Sequence, residues 1–382
     1  MILIPRFLSQ TVAKAMPPQA VAIFGPRRVG KTTLLEQLVN KSQARWYDGD
    51  AFGTAEALRF NALEDARNAL LQAPIIVIDE AHKIPDIGSI VKMLVDANER
   101  LEKPVQIFVT SSSPFYLASL KESAIGRVTS RQMWPLSLGE IAEFSSWGRV
   151  LERIEHHLIY GLMPPVYTSA EEARGFLTDY CEGLLLRDVF DQLPVRRPDK
   201  FRRLVQILAY YVGCEVTAES LARECGLSKN TVDDYIAKLE QASIVRVCHS
   251  FAKNLANELK KGKKIYFFDN GVRNAILQNF KPFAERDDAG ALWENFFFME
   301  RVKLHDTKRD FTQMYFWRTT GSGSAEVDFI EVLDGAIRGF ECKKSSFIKS
   351  TRGTKKFLTA YPNAQVEVVS PQDCMRVFAE TA

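Results

Sequence analysis

The chain has 382 residues, 46% of them hydrophobic and 25% charged, with a formal net charge of +3. That length allows two or three domains with sizeable cores, and the composition is that of an ordinary globular chain. The small charge excludes a globally basic nucleic-acid binder, and no run nears the roughly 18 apolar residues of a membrane helix.

Six cysteines form no C-x-x-C pair, and five histidines, including the adjacent His156 and His157, show no metal-ligand spacing. The expectation is a reduced, cytoplasmic protein without structural zinc or membrane contact. MILIPRFLSQ is too short for a secretory signal.

Residues 1–19 read as a short lead-in helix ending near Pro17-Pro18. Ala20–Phe24 is an apolar run with the look of a buried parallel strand. It enters Gly25-Pro26-Arg27-Arg28-Val29-Gly30-Lys31-Thr32, a full match to G-x-x-x-x-G-K-[ST], with Thr33 beginning the helical continuation. Glycines let backbone N–H groups wrap phosphates, and the following helix adds its positive dipole end. Lys31 is expected to reach the β- and γ-phosphates of ATP, and Thr32 to ligate Mg²⁺.

Ala44–Asp50 is expected to form a second strand, and Pro74–Ile78 a buried third, ending in Asp79-Glu80. Behind a P-loop, such a pair supplies a Mg²⁺ ligand, Asp79, and a general base for water, Glu80. Ile87–Leu101 reads as helix. Pro104–Thr110 reads as another strand, ending in Thr110-Ser-Ser-Ser113. Thr110 and Ser112 are candidates to touch the γ-phosphate or the lytic water, or else to cap a turn. Arg127 and Arg131 border the strand-like Val128–Trp134. Either is an arginine that neutralises transition-state charge, in cis or from a neighbour, or an ordinary surface arginine.

The P-loop, DEAHKIPD, TSSSPF and GRVTSRQMWPLSLGEI together resemble a bacterial and archaeal family of AAA+-like ATPases. Ser111 stands where that family has glycine, which bears on the sensor geometry. The resemblance implies a C-terminal domain of uncharacterised function, and extends to Leu158–Pro165 and to the Arg-Asp helix of Leu184–Leu193.

Arg196, Arg197, Arg202 and Arg203 cluster at the next helix, as a solvated face or a ligand site. Thr217–Glu240 holds two helical patterns around Gly226, with Ser228 as N-cap. Leu221, Leu227, Val232, Ile236 and Leu239 are its expected buried face, a helix-turn-helix signature. Ile244–Val247 and Lys264–Phe268 are expected to pair as wing strands, with Lys260, Lys261, Lys263 and Lys264 facing phosphates. Asp233 and Asp234 argue against a groove-facing helix. Packing within an ATPase is the alternative to DNA contact.

Gly290–Leu304 is an aromatic-rich helix carrying Glu294 and Glu300. Met314–Arg318 reads as a strand, followed by Gly321-Ser-Gly-Ser324. Asp328 and Glu341-x-Lys343 lie on hairpin strands joined by Asp334-Gly335. A two-residue repeat places Glu341 and Lys343 on one face. Glu294, Asp328 and Glu341 could cage Mg²⁺, with Lys343 steadying the attack; the alternative is exposed hairpin charge. Glu326 and Lys344 are expected on the other face. Residues Ala289–Ser370 are similar to the PD-(D/E)XK nuclease core, which implies nucleic-acid binding with or without cleavage.

The fold expected is α/β: an AAA+-like P-loop ATPase domain over 1–145, a helical and winged-helix domain over 146–285, and a nuclease-like domain over 286–382. The function expected is a Mg²⁺-dependent ATPase whose nucleotide state controls a C-terminal nucleic-acid-binding or nuclease module. The alternative is a nucleotide-operated switch or scaffold for a protein partner, with an inactive nuclease fold. ATP or ADP and DNA are the expected partners, and monomer or homo-oligomer is left open.

Overall fold

Continuous apolar runs flanked by helices favour a parallel sheet buried on both faces. The computed structural model describes residues 2–112, 126–185, 197–251, 262–319, 324–345 and 351–379. Ser113, the 186–193 part of the Arg-Asp helix, Arg196, Lys260, Lys261 and residues 321–323 lie outside the described residues. The chain divides into two compact units: Pro5–Trp134 with Gln241–Ser243, and Met1–Ile4 with Pro135–Glu240 and Ile244–Ala382.

In the unit built on Pro5–Trp134, the strands among the described residues are β1 (Ala20–Phe24), β2 (Ala44–Asp48), β3 (Ile75–Asp79), β4 (Gln106–Ser111) and β5 (Val128–Gln132). They form one parallel sheet in the order β2-β3-β4-β1-β5. All five residues of β1 are buried. Ile76, Ile78, Ile107 and Val109 pack with Ile87, Val91 and Leu94 of helix Ile87–Asn98. Because every strand runs the same way, all carboxyl ends meet one edge. The loop after β1, the acids after β3 and the hydroxyls after β4 are therefore neighbours, as ligand sites in open α/β sheets require.

The other unit continues from helix Pro198–Tyr210 through β6 (Glu215–Val216), helices Ala218–Cys225 and Lys229–Gln241, then β7 (Val245–Ser250) and β8 (Lys263–Phe267). Thr217 caps the first of these two helices, and Gly226, at φ 63°, ends it in the left-handed region that glycine adopts without strain. The Ser228 hydroxyl accepts from the Thr231 N–H at 3.2 Å. Leu221, Val232, Ile236 and Leu239 are buried, and Leu227 half-buried.

Helix Ala289–Lys308 follows, then β9 (Gln313–Arg318), β10 (Glu326–Leu333), β11 (Ala336–Cys342), helix Arg352–Ala360 and β12 (Gln365–Val369). The β10–β11 hairpin turns on Asp334-Gly335, both at positive φ. Phe297 of the long helix packs within 5.4 Å of the Phe329 and Phe340 rings. One sheet, in the order β12-β11-β10-β9-β7-β8-β6, runs through the middle and C-terminal stretches. Its join is a parallel pairing of β7 with β9, His249 opposite Tyr315 and Ser250 opposite Phe316. Among the described residues, no helix is long and apolar enough to cross a membrane.

Candidate functional site

Gly25-to-Gly30 forms the turn between β1 and helix Lys31–Leu38. Gly30 has φ 100°, which only glycine adopts readily. Gly25 has another reason: a Cβ there would lie 2.1 Å from the Met133 carbonyl oxygen. Lys31 is buried, and its Nζ donates to the Gly25 and Pro26 carbonyls at 3.0 Å each. The loop thus closes on its own lysine. Pro26 and Val29 are buried, Arg27 and Thr33 half-buried, and Arg28 exposed.

The Thr32 hydroxyl donates to Asp79 Oδ2 at 2.8 Å, and the Thr110 hydroxyl to Asp79 Oδ1. The Glu80 N–H in turn donates to Thr110 Oγ1 at 3.1 Å. Burial pushes the Asp79 carboxyl above the ordinary aspartate range, against the hydrogen bonds of Thr110 and Thr32. Glu80 sits in the left-handed region at φ 45°. Its Oε2 accepts from the Ser112 hydroxyl at 3.0 Å and lies 3.2 Å from His82 Nδ1. Burial opposes its ionisation, yet His82, the Lys31 charge and Ser112 hold it down to about 2. It is therefore a carboxylate at neutral pH.

Lys31, Thr32, Asp79, Glu80, Thr110 and Ser112 thus converge. Arg127 does not join them. It precedes β5, at the opposite end of the sheet from the P-loop, and its guanidinium pairs with Asp96. A phosphate contact in cis does not fit that place. Arg131, near the phosphate end of β5 opposite Ile23, donates to the Ser130 carbonyl at 2.9 Å.

Two members escaped sequence reasoning. His82 was legible in DEAH, two residues beyond Glu80. Arg6 had no signal: buried, it donates to the carbonyls of Val29 at 2.8 Å and Trp134 at 2.6 Å, holding the P-loop from behind.

A second cluster occupies the C-terminal sheet. Asn295 locks helix Ala289–Lys308 onto β8, accepting from the Phe267 N–H at 2.7 Å and donating to its carbonyl at 3.0 Å. That brings Glu294 to β8, where its Oε1 accepts from Lys264 at 2.9 Å and Tyr266 at 2.6 Å. Burial pushes Glu294 up to about 7; Lys264 opposes the rise and Asp328 adds to it. Asp328 Oδ2 accepts from the Cys342 N–H at 2.6 Å and lies 3.6 Å from Lys343 Nζ. Glu341 Oε2 lies 3.5 Å from the same ammonium. Its Oε1 accepts from the Thr354 N–H at 2.9 Å, the Thr354 hydroxyl at 2.6 Å and the Thr351 hydroxyl, capping helix Arg352–Ala360.

The structure therefore brings Asp328, Glu341 and Lys343 together, with Glu294 adjoining through Lys264. Among the described residues, no group of three or more acidic, histidine or cysteine side chains is arranged to hold a metal ion. Two expectations are corrected. Glu326 shares a face with Asp328, two residues on, and its Oε1 pairs with Lys264 at 2.6 Å. Lys264 is no solvent-facing wing lysine but 1% exposed. Lys263 pairs with Asp233 at 2.7 Å, and Lys238 with Asp234 at 2.8 Å, which offsets the acids of the second helix. Arg197, Arg202 and Arg203 lie on the surface.

Three family models match: an AAA domain over residues 17–142, and domains of unknown function over 151–282 (DUF8612) and 289–377 (DUF4143). The chain is 30% identical over 358 residues to the uncharacterized proteins Rv2008c of Mycobacterium tuberculosis and Mb2031c of Mycobacterium bovis, spanning 92% of this chain and 76% of each relative. Among solved structures it is similar to the Walker-type ATPase PABY2304 of Pyrococcus abyssi, at 13% identity and a TM-score of 0.45, covering 70% of this chain and 94% of that one. A likeness of that degree says nothing of function. The chain belongs to the same family as the two mycobacterial proteins, and its N-terminal part is an AAA-type P-loop ATPase fold.

Proposed function

We propose that the protein is a Mg²⁺-dependent ATPase whose nucleotide state controls a C-terminal nucleic-acid-binding module. The observation that carries the ATPase reading is the meeting of Thr32, Asp79 and Thr110 at the mouth of the loop that holds Lys31. The Thr32 hydroxyl and the Asp79 carboxylate are hard oxygen donors 2.8 Å apart, a donor set that fits Mg²⁺. When bound, the ion would neutralise phosphate charge.

Lys31 would exchange the Gly25 and Pro26 carbonyls for phosphate oxygens. Glu80, ionised and held by Ser112 and His82, would orient the attacking water and accept its proton. Leaving the Ser112 bond would make Glu80 more basic, so the hydroxyl is a place where γ-phosphate can set the activity of the base. Replacing Glu80 by Gln is expected to keep ATP binding and lose most turnover. Hydrolysis at the wild-type rate would remove Glu80 from this role.

For the middle segment the reading is a winged helix, supported by the order helix, β6, two helices, β7, β8 and by the pairing of β8 with both β6 and β7. For 286–382 it is a nuclease-like fold, supported by a helix carrying Glu294 packed on a hairpin carrying Asp328, Glu341 and Lys343. DNA would be held mainly by phosphate contacts, so duplex DNA is expected to stimulate the ATPase and the effect to fade with salt. A rate indifferent to DNA at every salt concentration would favour a switch for a protein partner instead.

A further inference from the structure

The nuclease-like reading calls for a divalent cation among Glu294, Asp328 and Glu341, and the residues do not fit one. Each carboxylate already has an oxygen engaged by protein donors. Glu294 Oε1 takes Lys264 and Tyr266, Asp328 Oδ2 takes the Cys342 N–H, and Glu341 Oε1 takes Thr351 and Thr354. A cage built from three carboxylates needs their oxygens to converge on one point, and among the described residues no three acidic side chains do so.

A cation is nevertheless present. An ammonium has three donors, and Lys264 meets three acceptors: Glu294 Oε1 at 2.9 Å, Glu326 Oε1 at 2.6 Å and the Asp328 carbonyl at 3.4 Å. It is buried on β8, over the Phe316 ring at 5.5 Å. On the far side of Asp328, Lys343 sits between Asp328 and Glu341. Two lysines thus bracket the acids from two strands.

We propose that Lys264 is the resident cation of this cluster, its ammonium holding Glu294, the helix acid that a divalent metal would need, so that the module holds nucleic acid without cutting it. This rests on the nuclease-like reading of 286–382. Lys264 comes from the middle segment, so the cluster is completed only by the strand that adjoins β7. Its two carboxylate neighbours, Glu294 and Glu326, carry like charges that would repel one another without it, and the ammonium replaces a metal both as counter-ion and as the tie between helix and hairpin.

The test reads metal directly, apart from DNA and from ATP turnover. Mn²⁺ binding to the nucleotide-free full chain is followed by electron paramagnetic resonance, with Asp79→Asn in every arm to silence the P-loop. The parent is expected to bind no Mn²⁺ that Asp328→Asn removes. Lys264→Met is expected to gain one equivalent, at least about tenfold tighter than anything in the parent, and adding Asp328→Asn to abolish it. A parent equivalent lost on Asp328→Asn, or a folded Lys264→Met with no gain, overturns the proposal. If circular dichroism shows Lys264→Met unfolded, the parent and Asp328→Asn titrations decide by themselves. Failure of the chain to bind DNA would count against the function proposed above and leave the metal result standing.

Discussion

The Thr32 hydroxyl and Asp79 Oδ2, 47 residues apart in sequence, share a hydrogen bond of 2.8 Å. Two hydroxyls serve this one carboxylate, since Thr110 takes the other oxygen. They oppose the burial that pushes Asp79 toward its neutral form, in which it would be a poor metal ligand. Thr110→Val keeps the shape and removes the donor. A hydrogen bond to a charged group is worth about 1.5–3 kcal/mol. ATPase activity is therefore expected to fall roughly ten- to hundredfold, with half-saturation shifted to higher Mg²⁺ and restored by Thr110→Ser. A Mg²⁺ titration of steady-state hydrolysis checks it, and an unchanged curve would separate Thr110 from Asp79.

Gly25→Ala should be among the most damaging small changes in the loop. Its Cβ meets backbone, the Met133 carbonyl oxygen, so no side chain can swing away. Overpacking of this kind costs about 1–3 kcal/mol. Chemical denaturation should show that loss, and equilibrium binding of a fluorescent ATP analogue should weaken with it. Full stability would show that β1 and the Met133 strand end can part without cost.

Arg6 bridges two buried carbonyls, Val29 in the P-loop and Trp134. Arg6→Ala leaves both acceptors without it, and an orphaned buried group costs about 1–3 kcal/mol. Because the fork positions the loop rather than touching phosphate, KM for ATP should rise more than kcat falls. Arg6→Lys should rescue little, since a compact ammonium lacks the planar fork that spans both carbonyls. Equal losses in kcat and kcat/KM would point to a role in the chemical step instead.

His157 gives a pH dependence of known sign. It is 2% exposed, and burial, with the charges of His156 and Arg153 adding, lowers its pKa to about 3. The unfolded chain binds this proton near pH 6.5, the folded chain near 3. Stability is therefore complete above about 6.5 and lost as pH falls between those values, by roughly 5 kcal/mol at most. His157→Phe should flatten the acid-side fall in Tm. Parallel Tm–pH curves for the two proteins would contradict this account.

The P-loop and the Asp79-Glu80 pair were legible because their chemistry is local: glycines, a lysine and two acids keep their order along the chain. The hairpin at Asp334-Gly335 was legible for the same reason, as a turn signal between alternating strands. Buried strands announced themselves as apolar runs, with some ends misplaced by one to three residues. The run expected over Pro104–Thr110 forms β4 from Gln106 to Ser111, because the ladder to β1 and β3 decides where a strand stops.

By itself, then, the sequence showed the P-loop motif between a strand and a helix and the acids at the end of a buried strand, since each depends on neighbours a few residues away. Only the tertiary structure decided which distant side chains meet. Arg6 reaches the P-loop from a lead-in segment, Arg127 goes to Asp96 at the far end of the sheet, and Lys264 leaves the expected wing for Glu294 and Glu326. Those outcomes follow from strand order and from the pairing of β7 with β9, which no run of residues encodes locally. A buried charge is stable only where the fold brings it a partner, so its role is read from the packing around it.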